Sequence, residues 1–99
     1  MILDYLNRHM VWSRQTFGPG LKTVGISQHI QKELAEVKQD PTNLEEWIDV
    51  IILGFDGAWR SGHTPEQIIK MLEYKQQKNM GRTWPTATND DEPTEHVRD

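Results

Sequence analysis

Two pairs of acidic residues are the groups in this sequence best suited to chemistry. Glu33 and Glu36 form the first pair, and Glu46 and Asp49 form the second. Residues three apart on a helix are neighbours on one face, so each pair places two carboxylates side by side. Four converging carboxylates repel one another unless cations lie between them, and oxygen ligands favour Mg²⁺ or Mn²⁺. The sequence therefore predicts a divalent metal site at these four residues.

Each acid pair taken alone has a simpler interpretation. A Glu-x-x-Glu pair on an amphipathic helix is usually a solvated face, and acids in the first turn of a helix are favoured by the helix dipole. The metal hypothesis depends on the combination of the two pairs. The short connection 40–43 makes the two helices that carry them antiparallel neighbours, which brings the pairs together.

Hydrophobic spacing along the chain predicts helices throughout, and no strand pattern competes with them. An all-α, four-helix bundle is therefore expected. The predicted helices span about residues 2–17, 27–39, 44–59 and 65–80.

Start and stop signals support these boundaries. Gly18-Pro19-Gly20 ends the first helix, and Ser27 is a candidate N-cap for the second. Thr42 with Glu45 and Thr64 with Gln67 match the capping-box pattern, in which two side chains bind each other's backbone N–H groups.

The third predicted helix is apolar on nearly every side, which is typical of a buried helix. Together with four tryptophans it offers more apolar surface than a 99-residue monomer easily buries. We therefore expect an oligomer, either a homodimer or a homotetramer. Asp56 on this helix is expected to pair with Arg60 or to orient a ligand, and the four histidines show no spacing typical of metal ligands.

Composition defines one folded domain over residues 1–85 and an acidic tail over 86–99 that is expected to be disordered. The sequence has no cysteine, which excludes disulfides and thiolate metal sites. No signal peptide or membrane-length apolar run is visible, so a cytoplasmic protein without membrane partners is expected. A net charge of −4 without a basic patch argues against binding to duplex nucleic acid. The lysines and arginine at Lys75, Lys78 and Arg82 suit phosphate groups.

Five motifs, spread over nearly the whole ordered chain, carry a family resemblance. They are Trp12-Ser13 with Thr16-Phe17-Gly18-Pro19-Gly20, His29-Ile30-x-Lys32-Glu33-Leu34, Leu44–Val50, Asp56-Gly57-Ala58-Trp59-Arg60-x-Gly62-His63, and Lys75-x-x-Lys78-Asn79-x-x-Arg82-x-Trp84-Pro85. Together they resemble the MazG-like all-α nucleoside triphosphate pyrophosphatases. The closer similarity is to the subgroup described as dATP/dGTP diphosphohydrolases, which includes phage MazZ-type enzymes. Only nine residues separate Glu36 from Glu46, fewer than in typical MazG proteins, which limits how far another MazG protein's substrate pocket carries over.

The resemblance implies hydrolysis of dATP or dGTP between the α and β phosphates, giving the monophosphate and pyrophosphate. It implies metal ligation by all four acids, with Glu36 or Glu33 taking the proton of the attacking water. Lys75, Lys78 and Arg82 would stabilise the leaving pyrophosphate, and Asn79 would bind a phosphate or the sugar. If the protein is encoded by a phage, its compartment is the host cytoplasm.

Recognition of the base is expected at the end of the first helix. Trp12 and Phe17 offer a stacking face, and Ser13 and Thr16 offer hydroxyl groups. The alternative is that these aromatic residues belong to the core or to an interface.

Two other functions remain open at the level of sequence. One is a house-cleaning pyrophosphatase that acts on dUTP, dCTP or modified nucleotides. The other is a non-enzymatic helical interaction module whose acidic stripe pairs with lysines of a partner.

Overall fold

The computed structural model describes residues 1–98 and is built from four helices, as expected. They are α1 (Ile2–Phe17), α2 (Thr23–Gln39), α3 (Leu44–Arg60) and α4 (Pro65–Met80). No strand occurs within residues 1–98. None of the helices in this part of the chain is both long enough and apolar enough to cross a bilayer. The chain divides into two compact units, Met1–Ile69 and Lys70–Asp99.

Local interactions set most helix ends where the sequence predicts them. Gly18 and Gly20 have φ angles of 89° and 91°, in the region that favours glycine, so the chain leaves α1 at this turn. The capping box of α4 is confirmed: the Gln67 N–H donates to Thr64 Oγ1 (3.2 Å), and the Thr64 N–H donates to Gln67 Oε1 (2.9 Å).

Two predicted caps are wrong. Helix α2 begins at Thr23 rather than Ser27, because the backbone N–H of Ile26 already donates to Lys22 O at 2.9 Å. The glycine at position 25 does not delay the helix, since one glycine costs only about 1 kcal/mol. The N-cap of α3 is Asn43 rather than Thr42, because Asn43 Oδ1 accepts the Glu45 N–H at 3.0 Å.

The first unit places α3 against both α1 and α2. Its core is small and consists of Leu6, Trp59 and Ile68, with partly buried apolar side chains packed around them. The single chain leaves part of the apolar surface of α3 uncovered, as expected for a helix with more apolar surface than a monomer of this size easily buries. Trp47 and Ile51 remain 47% and 49% exposed, and Leu44 and Ile48 are exposed on the same helix.

The tail after α4 contains no helix within residues 81–98. The Val97 N–H donates to Thr83 O at 2.7 Å, and the Trp84 and His96 rings meet edge to face at 6.0 Å. Disorder of residues 86–99 stays a prediction, and its last residue, Asp99, lies outside the described residues.

Candidate active site

Three acidic side chains converge between α2 and α3. Glu33 comes from α2, and Glu46 and Asp49 come from the first half of α3. One carboxylate oxygen of each lies within 4.8 Å of the other two. The connection 40–43 turns the chain back on itself, and the three-residue spacing in α3 then puts both of its acids on the face towards α2. We call these three residues the acid trio.

Two oxygens of the acid trio lack partners. Glu33 Oε2 and Glu46 Oε2 are both enclosed, and neither has a hydrogen-bond partner among residues 1–98. A buried carboxylate oxygen without a hydrogen-bond donor or a cation is costly, so native proteins rarely contain one. The other Glu33 oxygen is occupied, because His29 Nε2 lies 3.1 Å from Glu33 Oε1. An all-oxygen donor set with free lone pairs fits a hard divalent cation.

The pKa values of the acid trio reflect this crowding. The interaction with the Glu36 carboxyl, then burial and the neighbouring charges, raises the pKa of Glu33 above its ordinary value of 4.5. Burial, followed by the charge of Glu36, raises the pKa of Glu46. Mutual repulsion therefore favours a bound proton or a bound cation at this place.

Glu36 stands beside the acid trio without belonging to it. Its carboxyl group interacts with those of both Glu33 and Glu46, yet it is not a member of the group that converges within 4.8 Å. Glu36 is also exposed, unlike the three acids that converge. The structure thus brings together three of the four predicted metal ligands and leaves the fourth at the edge.

A pocket of about 490 Å³ opens next to the acid trio. Glu33 and Asp49 line one part of it, and it extends between α1, the start of α2 and α3. Its volume is within the range of small-molecule sites. The other lining residues are His9, Trp12, Ser13, Phe17, Lys22, Gly25, Ile26, His29, Ile52, Leu53, Asp56 and Arg60.

An aromatic pair from α1 lines this pocket. The Trp12 and Phe17 rings meet edge to face, with centroids 5.5 Å apart. The two residues are 54% and 57% exposed, so they do not belong to the core of the chain. Rings this open have a free face on which a planar ligand can stack.

A buried ion pair on α3 lies at the α1 end of the pocket, and its arginine also binds the turn that follows α1. Arg60 Nε donates to Asp56 Oδ2 at 2.8 Å, which confirms the predicted pairing. Arg60 NH1 also donates to the carbonyl oxygens of Gly18 (2.8 Å) and Gly20 (3.1 Å). One guanidinium group therefore binds the glycine turn, and Arg60 itself is only 5% exposed.

Ser13 belongs to this ion-pair network. Its hydroxyl donates to Asp56 Oδ1 and accepts from Arg60 NH2 at 3.0 Å, and the residue is 1% exposed. The Trp59 indole N–H donates to the same Asp56 oxygen at 2.8 Å. Burial pushes the pKa of Asp56 upward, but these donors and the charge of Arg60 outweigh it and hold the pKa below 3.8.

The remaining predicted site residues lie in the second unit. Arg82 NH1 donates to Asn79 Oδ1 at 3.2 Å, and the Trp84 indole N–H donates to Asn79 O at 2.7 Å. Lys78 Nζ lies 5.8 Å from the centre of the Tyr74 ring. The roles of Lys75, Lys78, Asn79 and Arg82 in binding stay predictions.

Sequence reasoning missed three polar or charged residues that line the pocket. His29 contacts Glu33, and the four-residue spacing between them was a signal for this contact. His9 lies 3.0 Å from Asp56 across 47 positions of sequence, for which no local signal exists. Lys22 also lines the pocket, from the residue that precedes α2.

The clustered carboxylates suit a hard divalent cation, and the adjoining pocket, which is lined by aromatic and basic side chains, has the volume of a small-molecule site. A family model described as dATP/dGTP pyrophosphohydrolase matches residues 5–99. The chain belongs to this dATP/dGTP pyrophosphohydrolase family. It is an enzyme, a nucleoside triphosphate diphosphatase, and the MazG-like resemblance is consistent with the match. No curated protein and no solved structure matches the chain.

Proposed function

We propose that this enzyme hydrolyses dATP and dGTP between the α and β phosphates in a reaction that requires a divalent metal ion. The products are the deoxynucleoside monophosphate and pyrophosphate. The observation that carries the proposal is the pair of enclosed, unpartnered oxygens on Glu33 and Glu46 beside a pocket of nucleotide size. Family membership supplies the substrate class.

The acid trio of Glu33, Glu46 and Asp49 would hold the ion, for which Mg²⁺ or Mn²⁺ suits the oxygen donors best. When bound, such an ion neutralises phosphate charge and polarises the attacking water. His29 holds one Glu33 oxygen through the contact at 3.1 Å and so fixes the direction of the other.

Glu36 is the better candidate to take the proton from the attacking water. Glu33 is partly enclosed, with its side chain 12% exposed, and one of its oxygens is already engaged by His29. Glu36 is exposed and interacts with both glutamates of the acid trio. A carboxylate at the edge of a metal site, within reach of solvent, is positioned to act as a general base.

The base is proposed to stack on Trp12 and Phe17, whose rings are open and line the pocket. We propose that Ser13 supports the site rather than contacting the substrate directly, as the sequence had suggested. Its hydroxyl is used by Asp56 and Arg60, so it supports the aromatic end without touching the ligand. From the family resemblance we also propose that the phosphates are bound by Lys75, Lys78 and Arg82, and that Asn79 binds a phosphate or the sugar.

The exposed apolar residues of α3 support the expected oligomer, because the single chain leaves Trp47, Ile48 and Ile51 uncovered. We propose a homodimer or homotetramer that buries this face. The deoxynucleotide substrates are consistent with a cytoplasmic enzyme.

The test is hydrolysis of each of the four dNTPs by the purified protein, with Mg²⁺, with Mn²⁺ and with EDTA. Reaction in ¹⁸O-labelled water identifies the phosphorus atom that is attacked. We expect turnover of dATP or dGTP, abolished by EDTA, with ¹⁸O in the monophosphate and none in pyrophosphate. Label in pyrophosphate would contradict attack at the α phosphorus. Turnover of dUTP or dCTP alone would retain the mechanism and contradict the purine assignment.

A further inference from the structure

His9 is held in the wall of the pocket by Asp56. Its Nε2 lies 3.0 Å from Asp56 Oδ1, and its side chain is only 7% exposed. The ring packs between Tyr5 and Trp12, with centroid separations of 6.2 Å and 6.1 Å. His9 therefore lines the pocket beside Trp12, one of the two proposed stacking residues.

The Asp56 carboxylate determines which nitrogen of His9 carries a proton. Asp56 accepts hydrogen bonds from Ser13, Trp59 and Arg60, and these donors keep it ionised. An ionised carboxylate only accepts, so the His9 nitrogen that faces it must be a donor. In the neutral ring, Nε2 then carries the hydrogen and Nδ1 is an acceptor. No residue within 1–98 forms a hydrogen bond with this Nδ1.

The position of Asp56 puts His9 away from the acid trio. Asp49 and Asp56 are seven residues apart on α3, which corresponds to about 10 Å along the helix axis. Ile52 and Leu53 line the pocket between them. His9 is thus at the aromatic end, where the ligand's base is proposed to bind. A role for His9 in ligating the ion is not supported by this spacing.

The Ser13–Asp56–His9 arrangement is not a nucleophilic triad. The Ser13 hydroxyl donates to the aspartate and accepts from Arg60, so it has no contact with the histidine that would activate it. The arrangement instead leaves His9 Nδ1 as an unused acceptor, and the His9 ring cannot rotate without losing the hydrogen bond from Nε2 to Asp56. Such a fixed, unpaired acceptor is the means by which a site selects ligands that carry an N–H group.

We propose that His9 Nδ1 is a specificity-determining group that accepts a hydrogen bond from the exocyclic amino group of the purine base stacked on Trp12. This proposal rests on the proposed function, since it names the part of the substrate that the same pocket reads. Adenine and guanine each carry one exocyclic amino group, on C6 and C2 respectively. A ligand without that group would cover Nδ1 without giving it a hydrogen-bond partner, which is penalised.

The test compares substrates that differ by one amino group. The pairs are dATP with the triphosphate of deoxynebularine, which lacks the 6-amino group, and dGTP with dITP, which lacks the 2-amino group. For at least one pair we expect the wild-type kcat/KM to fall about tenfold when the amino group is removed, the effect of one lost hydrogen bond. In His9→Phe, which keeps an aromatic ring against Tyr5 and Trp12, the ratio within that pair should fall towards one. His63→Phe, in the exposed connection before α4, should keep the wild-type ratio.

Two results would overturn the proposal: no loss within either pair in the wild type, or the same loss in His9→Phe as in the wild type. The proposal would also be overturned if replacing dATP by 7-deaza-dATP lowered kcat/KM in the wild type but not in His9→Phe. That result would mean that Nδ1 donates a hydrogen bond to N7 of the base. No turnover of any triphosphate, including the natural ones, would instead defeat the proposed function on which this inference rests.

A measurement on the wild type decides the matter even if His9→Phe does not fold. The ¹⁵N chemical shifts of the His9 ring report which nitrogen is protonated and whether the other accepts a hydrogen bond. We expect an unprotonated Nδ1 in the free protein and an upfield shift of Nδ1 when the α,β-methylene analogue of the preferred purine substrate binds. An Nδ1 signal that does not move in the saturated complex contradicts the proposal.

Discussion

Asp49 and Asp56 lie two turns apart on α3, both line the same pocket, and their surroundings are electrostatically opposite. Asp49 faces two glutamates, whereas Asp56 is enclosed by Ser13, Trp59 and Arg60, all of which donate to it. One end of the pocket therefore requires added positive charge, and the other end is already neutralised by the protein. This difference makes the Asp49 end the place where the proposed metal ion would bind.

Replacing Glu46 by Gln should abolish hydrolysis while leaving the protein folded. The change keeps the shape of the side chain but removes a ligand and one of the repelling charges of the acid trio. We expect a loss of at least about 100-fold in kcat/KM, because replacing a residue that only supports a metal ligand already costs about 10–100-fold, with an equal or higher melting temperature in EDTA. Glu45→Gln, at the exposed neighbouring position, is the matched control and should retain activity. Full activity in Glu46→Gln would remove Glu46 from the site.

The stability of the metal-free protein should rise as the pH is lowered from 7 towards 4.5. The pKa values of Glu33 and Glu46 are raised above 4.5 in the folded protein, so the folded state binds more protons than the unfolded state as the pH approaches 4.5 from above. Asp56 acts in the opposite sense, because its pKa is lowered in the folded protein. The stability that it contributes is lost only at pH values below about 3.8. Melting temperatures measured in EDTA across this range test the prediction.

Two controls isolate the acid trio in the pH experiment. Glu46→Gln should show a weaker dependence on pH than the wild type, because one of the two titrating groups is gone. Saturating Mg²⁺ should stabilise the wild type most at neutral pH, since protons compete with the ion at lower pH. Identical pH profiles for the wild type and Glu46→Gln in EDTA would show that these carboxylates are not coupled to folding.

Replacing Arg60 by Met should destabilise the protein severely. The buried Asp56 would lose its charged partner, and the carbonyl groups of Gly18 and Gly20 would lose a donor. Breaking one side of a buried pair typically costs about 3–5 kcal/mol, a large share of the stability of a small domain. Arg14→Met is a matched control, because Arg14 also lies over the Trp59 ring, at 5.2 Å, but is exposed. Urea unfolding that gives equal losses for the two variants would contradict a special role for Arg60.

Introducing charge on the open face of α3 should separate the proposed oligomer. Ile51 is 49% exposed in the single chain, so Ile51→Asp changes little within it but would place a charge in the buried interface. Sedimentation should give a larger mass for the wild type than for the variant, with equal helix content by circular dichroism. Leu21→Asp, at an exposed position outside the helices, should keep the wild-type mass. A monomeric wild type at micromolar concentration would contradict the oligomer.

The helices could be predicted from sequence because their signals are local. Thr64 and Gln67 form the expected capping box, and the glycines at 18 and 20 end α1 as expected. The start of α2 was missed because the sequence favours Ser27 as a cap, whereas the backbone is already helical from Thr23. The sequence also shows that α3 is apolar on nearly every side, but its periodicity does not tell which side is covered inside one chain and which between chains.

The same distinction between local and distant contacts explains which parts of the site were predicted. The acid trio follows from spacing within two helices that a short connection makes neighbours. Asp56 and Arg60 are also local, four residues apart. The contacts of Ser13 and His9 with Asp56 join residues 43 and 47 positions apart. Such contacts depend on the angle at which α1 packs on α3, which no short motif encodes.

The hydrogen bonds from Arg60 to the glycine turn have a further consequence for how a nucleotide enters. The connection between α1 and α2 is fastened to α3 through Gly18 and Gly20, so the aromatic pair is anchored at its C-terminal side before any ligand arrives. Little conformational entropy then remains to be lost at that end on binding, which favours affinity through preorganisation. Selection at the proposed base site would accordingly be by rigid complementarity, and association should not be slowed by a loop that has to close.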